Sequence, residues 1–217
     1  MQISDKGVAF LAAHEGIVPG PYFDSVGVMT YGIGHTAAAG SPFPASMKRG
    51  MPTDLDAELR KVFDLFAADL EKYAADVRRA IKVPLAQHEF DAAVSFHFNT
   101  GAISKATWVK KLNKGDKAGA IRDIMNWRKP KEIIPRRTAE RDLFAKGTYG
   151  KTSATVWNVT EAAKVVWKAK RTLSMGDMLD LMDRKPTPAP VLDIDTPKAP
   201  QGGFAWLTAL LAELFRR

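Results

Sequence analysis

With 217 residues, 46% of them hydrophobic, the chain is long enough for one full domain plus an appendage and too apolar for an intrinsically disordered protein. Its formal charge of +8 at pH 7 points to a polyanionic partner, whether nucleic acid, an anionic membrane or an acidic cell envelope, without choosing among them. It contains no cysteine, which excludes disulfides, thiolate metal sites and thiol nucleophiles.

Ser4 is placed to cap a first helix whose apolar positions Val8, Leu11 and Ala12 share one face and which is expected to end at Gly16, with Glu15 in its last turn. From Gly16 to Gly40 glycines alternate with β-favouring residues. This predicts a small twisted antiparallel sheet with a tight turn at Ser25-Val26-Gly27. Thr53 with Asp56 resembles a capping box, and from Leu55 to Ile81 apolar residues recur at spacings of three and four, predicting a long helix. Pro84 ends it. Shorter helices are predicted near 86–98, 104–113, 116–126 and 136–146, then a hairpin from Thr155–Val159 and Val165–Leu173, and a closing helix from Gly176 to Met182. The fold class is α+β, mainly helical.

The expected division is a catalytic domain over 1–150, its extension over 151–183, a linker over 184–203 and an apolar, cationic amphipathic tail helix over 204–217. Five of the 13 prolines fall between Pro186 and Pro200, the composition of an extended linker. A helical tail of 14 residues would extend only about 21 Å, too short for a hydrocarbon core of about 30 Å, so contact with an anionic membrane surface is expected rather than a span.

Several chemistries fail on spacing. None of the four histidines pairs at metal-ligand spacing: His14-Glu15 would need a second histidine where Val18 stands. The run Gly32-Ile33-Gly34-His35-Thr36-Ala37 lies in a β-rich hairpin, not before a capped helix, so no dinucleotide site is expected. No metal or cofactor is predicted. Residues 105–151 hold 14 Lys/Arg against 5 Asp/Glu, but they interleave with helix-core positions and show no recognition motif, so nucleic acid is not the expected partner.

Glu15 stands out because a carboxylate at a helix C-terminus faces the negative end of the dipole, which disfavours its ionised form and suits a general acid. Nine residues on, Asp24 opens the glycine-rich sheet, and Thr30 follows it on the next strand. Cleavage of a glycosidic bond requires such a carboxylate pair, one to protonate the leaving oxygen and one to serve as base or electrostatic partner.

His14-Glu15-Gly16, Tyr22-Phe23-Asp24-Ser25-Val26-Gly27 and Thr30-Tyr31-Gly32-Ile33-Gly34-His35-Thr36 resemble the active-site signature of phage-type lysozymes, the endolysins of glycoside hydrolase family 24. Two further blocks agree in order: Ala86-Gln87-His88-Glu89-Phe90-Asp91 running on to Phe98-Asn99-Thr100-Gly101, and Trp127 followed by Pro135-Arg136-Arg137-Thr138-Ala139-Glu140. The resemblance covers residues 4–147. It departs from the family pattern at Tyr31, usually isoleucine, and before Arg136, where Lys131 to Pro135 replaces a Gly-Leu pair.

The resemblance implies a lysozyme-like fold, with a small antiparallel sheet beside a long helix and a helical lobe. It implies a muramidase with Glu15 as acid, Asp24 as base or electrostatic partner and Thr30 positioning the attacking water. Arg137 would pair with Glu15; Phe98, Asn99 and Thr107 would line the glycan cleft; His35 would anchor the hairpin. Peptidoglycan is the implied substrate, inversion the implied outcome and a monomer the expected state. Two alternatives stand beside this reading: a lytic transglycosylase, and a non-catalytic envelope-binding or membrane-permeabilising protein acting through the tail. Residues 1–16 lack the features of a secretory signal. Synthesis in the host cytoplasm, release through a separate holin-type pore and action at the wall are therefore expected.

Overall fold

The computed structural model describes residues 1–150 and 152–183, so the expected linker and tail, 184–203 and 204–217, lie outside the described residues. The chain divides into two compact units: Met1–Glu15 with Ala67–Ala154, and Gly16–Phe66 with the chain from Thr155 onward.

The first unit is helical. Helix α1 (Asp5–Ala12) begins where the Ser4 hydroxyl accepts from the Gly7 amide at 3.1 Å, and every residue from Gly7 to Ala12 is buried. It stops sooner than its apolar pattern suggests. The chain past Ala12 tightens into two short turns, His14 N to Leu11 O at 2.9 Å and Glu15 N to Ala12 O at 3.1 Å, which use up terminal carbonyls. Glu15 therefore lies beyond the helix, not in its last turn. Helix α2 (Leu55–Ala80) crosses the boundary between the units; its C-terminal half contributes Leu70, Ala74 and Val77 to the core of the first. Its cap is Asp54, whose Oδ1 accepts from the Ala57 amide at 3.0 Å. Thr53 was the expected cap; the aspartate one residue later is adjacent to Leu55 and brings a full negative charge to the positive end of the dipole.

Helix α3 (Gln87–Thr100) packs against α1 and against α6 (Ile134–Lys146), while α4 (Thr107–Asn113) packs on α5 (Lys117–Ile124). The centre of this lobe is aromatic: Phe96 meets Trp108 and Trp127 edge-on at 5.3 Å each, and Trp108 meets Phe144 at 5.6 Å. Asp91, fully buried, ties the N-terminus down by accepting from the Ser4 amide at 3.0 Å and from the hydroxyls of Ser4 and Tyr149.

The second unit carries the sheets. Strands β1 (Val18–Phe23), β2 (Met29–Gly32) and β3 (His35–Thr36) form an antiparallel sheet in that order, with Tyr22 opposite Thr30 and Thr30 opposite Thr36. The β1–β2 turn falls at Asp24–Gly27, as the sequence predicts, and Gly27 takes φ +82°, a conformation that a side chain disfavours. The N-terminal half of α2 packs Leu59, Val62, Phe63 and Phe66 into this unit. The predicted hairpin is present as β4 (Ser153–Val159) and β5 (Val165–Ser174), followed by α7 (Met175–Asp183). A parallel bridge joins Ile17 to Val156.

Among the described residues no helix is long and apolar enough to cross a membrane, and no cluster of three or more His, Asp or Glu is placed to hold a metal ion.

Candidate active site

In the first unit the site is organised by α6. Arginines at 136 and 137 and a glutamate at 140 lie three and four residues apart, the spacing at which helix side chains meet. Arg136 donates Nε to Glu140 Oε1 at 3.1 Å and Nη1 to Glu15 Oε1 at 2.7 Å. Arg137 donates Nη1 to Glu140 Oε2, Nε to the Trp127 carbonyl at 3.0 Å and Nη2 to Asn99 Oδ1 at 2.6 Å, with its guanidinium over the Phe96 ring. Ser95 donates to Glu140 Oε1 at 2.7 Å. Two cations and two carboxylates thus compensate one another in a site where Arg136 is 5% exposed and Glu15 17%.

This corrects one expectation. Arg136, not Arg137, pairs with Glu15. Neighbouring residues on a helix point about 100° apart. The phase of α6 sends residue 136 toward Glu15 and residue 137 toward α3 and Trp127, where its donors are taken up inside the protein.

Burial opposes the charge on Arg136, but Glu15 and Glu140 together outweigh it and raise its pKa. Arg137 is lowered, by burial first, with Glu140 opposing and Arg136 adding to the effect. His14, next to Glu15, is held neutral: burial, then the charges of Arg136 and Arg137, lower its pKa to about 3. Its ring stands edge-on to Phe10 at 4.9 Å, and Nε2 is buried without a partner. Tyr73 on α2 feels the same site; burial, then Asp69, Glu15 and Asp76, push it up to about 12. Phe98 meets Tyr73 edge-on at 5.0 Å, so it shares this neighbourhood. Thr107 is exposed at the start of α4.

In the second unit Asp24 sits at the β1–β2 turn. Its Oδ1 accepts from the Val26 amide at 3.0 Å and the Val28 amide at 2.7 Å, while Oδ2 is shielded and has no protein partner. One oxygen is fixed by the turn and the other is enclosed without a protein partner. Thr30 is 1% exposed, and its hydroxyl donates to the Val28 carbonyl at 3.1 Å, leaving the oxygen as an acceptor. His35 Nε2 lies 2.9 Å from the Pro42 carbonyl and is structural, as the sequence suggests.

A family model described as phage lysozyme matches residues 12–140, a span that contains Glu15, Asp24, Thr30, Asn99 and the Arg136–Glu140 block. The chain belongs to the phage lysozyme family. Similar to this phage lysozyme family member is the endolysin of Salmonella phage P22, 35% identical over 150 residues, which are 66% of this chain and 98% of the relative. The solved endolysin from Escherichia coli O157:H7 phage FAHEc1 is 32% identical with a TM-score of 0.59, covering 70% of this chain and 98% of its own. The muramidase domain of SpmX from Asticaccaulis excentricus is 25% identical with a TM-score of 0.53, covering 67% and 98%.

Reading the sequence by itself gave no role to Arg136, Glu140, Ser95 or His14, although all but Ser95 stand in the blocks quoted above. The spacing of 136, 137 and 140 carried a signal, since arginines three and four residues before a glutamate can both reach it. Ser95 carried none.

Proposed function

We propose that this phage lysozyme family member is an endolysin that hydrolyses the β-1,4 bond between N-acetylmuramic acid and N-acetylglucosamine in bacterial peptidoglycan. The observation that carries the reading is the Glu15–Arg136 pair: a carboxyl group in a half-buried site, tied through one oxygen to a buried cation that Glu140 also anchors. Glu15 protonates the leaving glycosidic oxygen, and Arg136 stabilises the carboxylate that remains as the bond breaks. Asp24, with Oδ1 committed to its turn, uses Oδ2 to activate water or to face the cationic transition state. The Thr30 oxygen accepts a hydrogen bond from that water. Phe98 and Asn99 contact the glycan, Asn99 in an orientation fixed by Arg137. The basic charge favours approach to an acidic wall, and residues 204–217 assist at an anionic membrane surface. The protein acts as a monomer and reaches the wall through a separate holin-type pore.

The test is the Glu15→Gln protein on purified peptidoglycan. Release of reducing sugar should vanish, whereas deletion of 204–217 should leave it intact. Sugar release undiminished by Glu15→Gln removes the acid from this assignment. Mass analysis of the wild-type digest should give reducing ends; anhydro ends would instead mean transglycosylation.

A further inference from the structure

The β4–β5 hairpin lies past residue 140, where the family match ends. Trp167 on β5 is 66% exposed, the most exposed large apolar side chain among the described residues. A lone exposed apolar residue is ordinary, but this one is held in place. Its ring meets Trp157 of β4 edge-on, with centroids 5.4 Å apart and planes at 75°. Trp157 is itself seated against the Val18, Tyr22 and Val159 cluster. Its indole edge lies over Gly16: a Cβ there would come within 3.1 Å of Nε1, so a larger residue would have to push the ring back by a few tenths of an ångström. Gly16 is the residue that follows Glu15.

The strand that carries Trp167 is basic. From Ala162 to Gly176 the chain carries Lys164, Lys168, Lys170 and Arg171 and no acidic residue. Of these, Arg171 is paired, with Asp56 at 2.6 Å.

We propose that Trp157 and Trp167 form an accessory platform for the glycan strand of peptidoglycan, separate from the bond being cut; this rests on peptidoglycan being the substrate. A pyranose with equatorial substituents presents a face of axial C–H groups, weakly positive, to the negative face of an indole. Because Trp157 fixes its partner's plane, little side-chain freedom is lost on binding. An anionic membrane surface fits less well. Successive residues of a strand face opposite sides, so Trp167 and Val166 point apart and Lys168 and Lys170 share the face of Val166. The cations that anionic headgroups would need are therefore turned away from the Trp167 ring.

Trp167→Ala in the full chain tests this, since an exposed side chain is removable without loss of fold. On polymeric peptidoglycan KM should rise about 5–10-fold with kcat unchanged. Turnover of a soluble tetrasaccharide fragment should be unaffected, and Trp167→Phe should restore most of the loss. An unchanged KM on polymer, or an equal loss on the tetrasaccharide, overturns the platform. So does reduced binding to anionic phospholipid vesicles with polymer KM intact. If the wild-type protein releases no sugar at all, it is the muramidase reading that fails; sedimentation of wild type and Trp167→Ala with insoluble peptidoglycan still decides the platform by retention or loss of binding.

Discussion

The Arg136 guanidinium donates one N–H to Glu15 at 2.7 Å and another to Glu140 at 3.1 Å, so a single buried cation serves two carboxylates, while its Nη2 is buried without a protein partner. On the proposed reading its removal should disturb both stability and catalysis, and the two losses are separable.

Arg136→Met leaves Glu140 and Glu15 without their shared cation, and breaking a buried pair costs about 3–5 kcal/mol. Denaturant unfolding should show a loss of that order, and kcat should fall by about 10-fold or more, because the carboxylate left after proton transfer loses its stabilising cation. Arg137→Met should destabilise through Glu140, Asn99 and the Trp127 carbonyl with a smaller loss of kcat. A kcat lowered more by Arg137→Met than by Arg136→Met would reverse the assignment.

Asp24 combines a structural oxygen with a free one, and two substitutions separate them. Asp24→Asn retains an acceptor for the Val26 and Val28 amides, whereas Asp24→Ala removes it. Both should lower activity about 100-fold or more. Only Asp24→Ala should also lower stability, by about 1 kcal/mol or somewhat more. Full activity in Asp24→Asn would take the charge out of the mechanism.

His14 makes stability pH-dependent. Its folded pKa, about 3, lies below the ordinary value of 6.5, so between these limits the unfolded chain binds a proton that the folded chain refuses. The His14 contribution is complete above about pH 6.5 and is lost as pH falls toward 3, with a slope of at most about 1.4 kcal/mol per pH unit. Unfolding free energies of wild type and His14→Gln between pH 7 and 5 should diverge at the top of this range and converge toward acid. Parallel curves would contradict the buried, neutral histidine.

Trp108 is the largest fully buried side chain among the described residues and meets two aromatic rings. Trp108→Ala should cost about 3–5 kcal/mol. A change under 1 kcal/mol would mean that the helical lobe repacks freely, against the edge-to-face arrangement described above.

Most of the fold is legible in the sequence because its signals are local. The period of α2, the turn at Asp24–Gly27 and the Ser4 cap each depend on residues within a few positions of one another. The errors are of phase and extent. Asp54 replaces Thr53 as a cap because one step along the chain decides which side chain reaches the first turn. Arg136 replaces Arg137 at Glu15 because the rotation of α6 is set by its packing, which two adjacent arginines do not encode. Glu15 and Asp24 stand out through their spacing and the motifs around them. Ser95 is invisible in the sequence, since its role exists only once α3 lies against α6.

The Glu15–Arg136 bond spans 121 residues of chain. At synthesis rates of about 5–20 residues per second, the proposed acid leaves the ribosome roughly 6–24 s before the guanidinium that completes its surroundings. Until residues 87–100 emerge, α1 also lacks the α3 surface against which it packs. A nascent or prematurely terminated chain therefore carries the acid without the charge that holds it. Lytic capacity is withheld until synthesis is well advanced, a delay that follows from chain order alone.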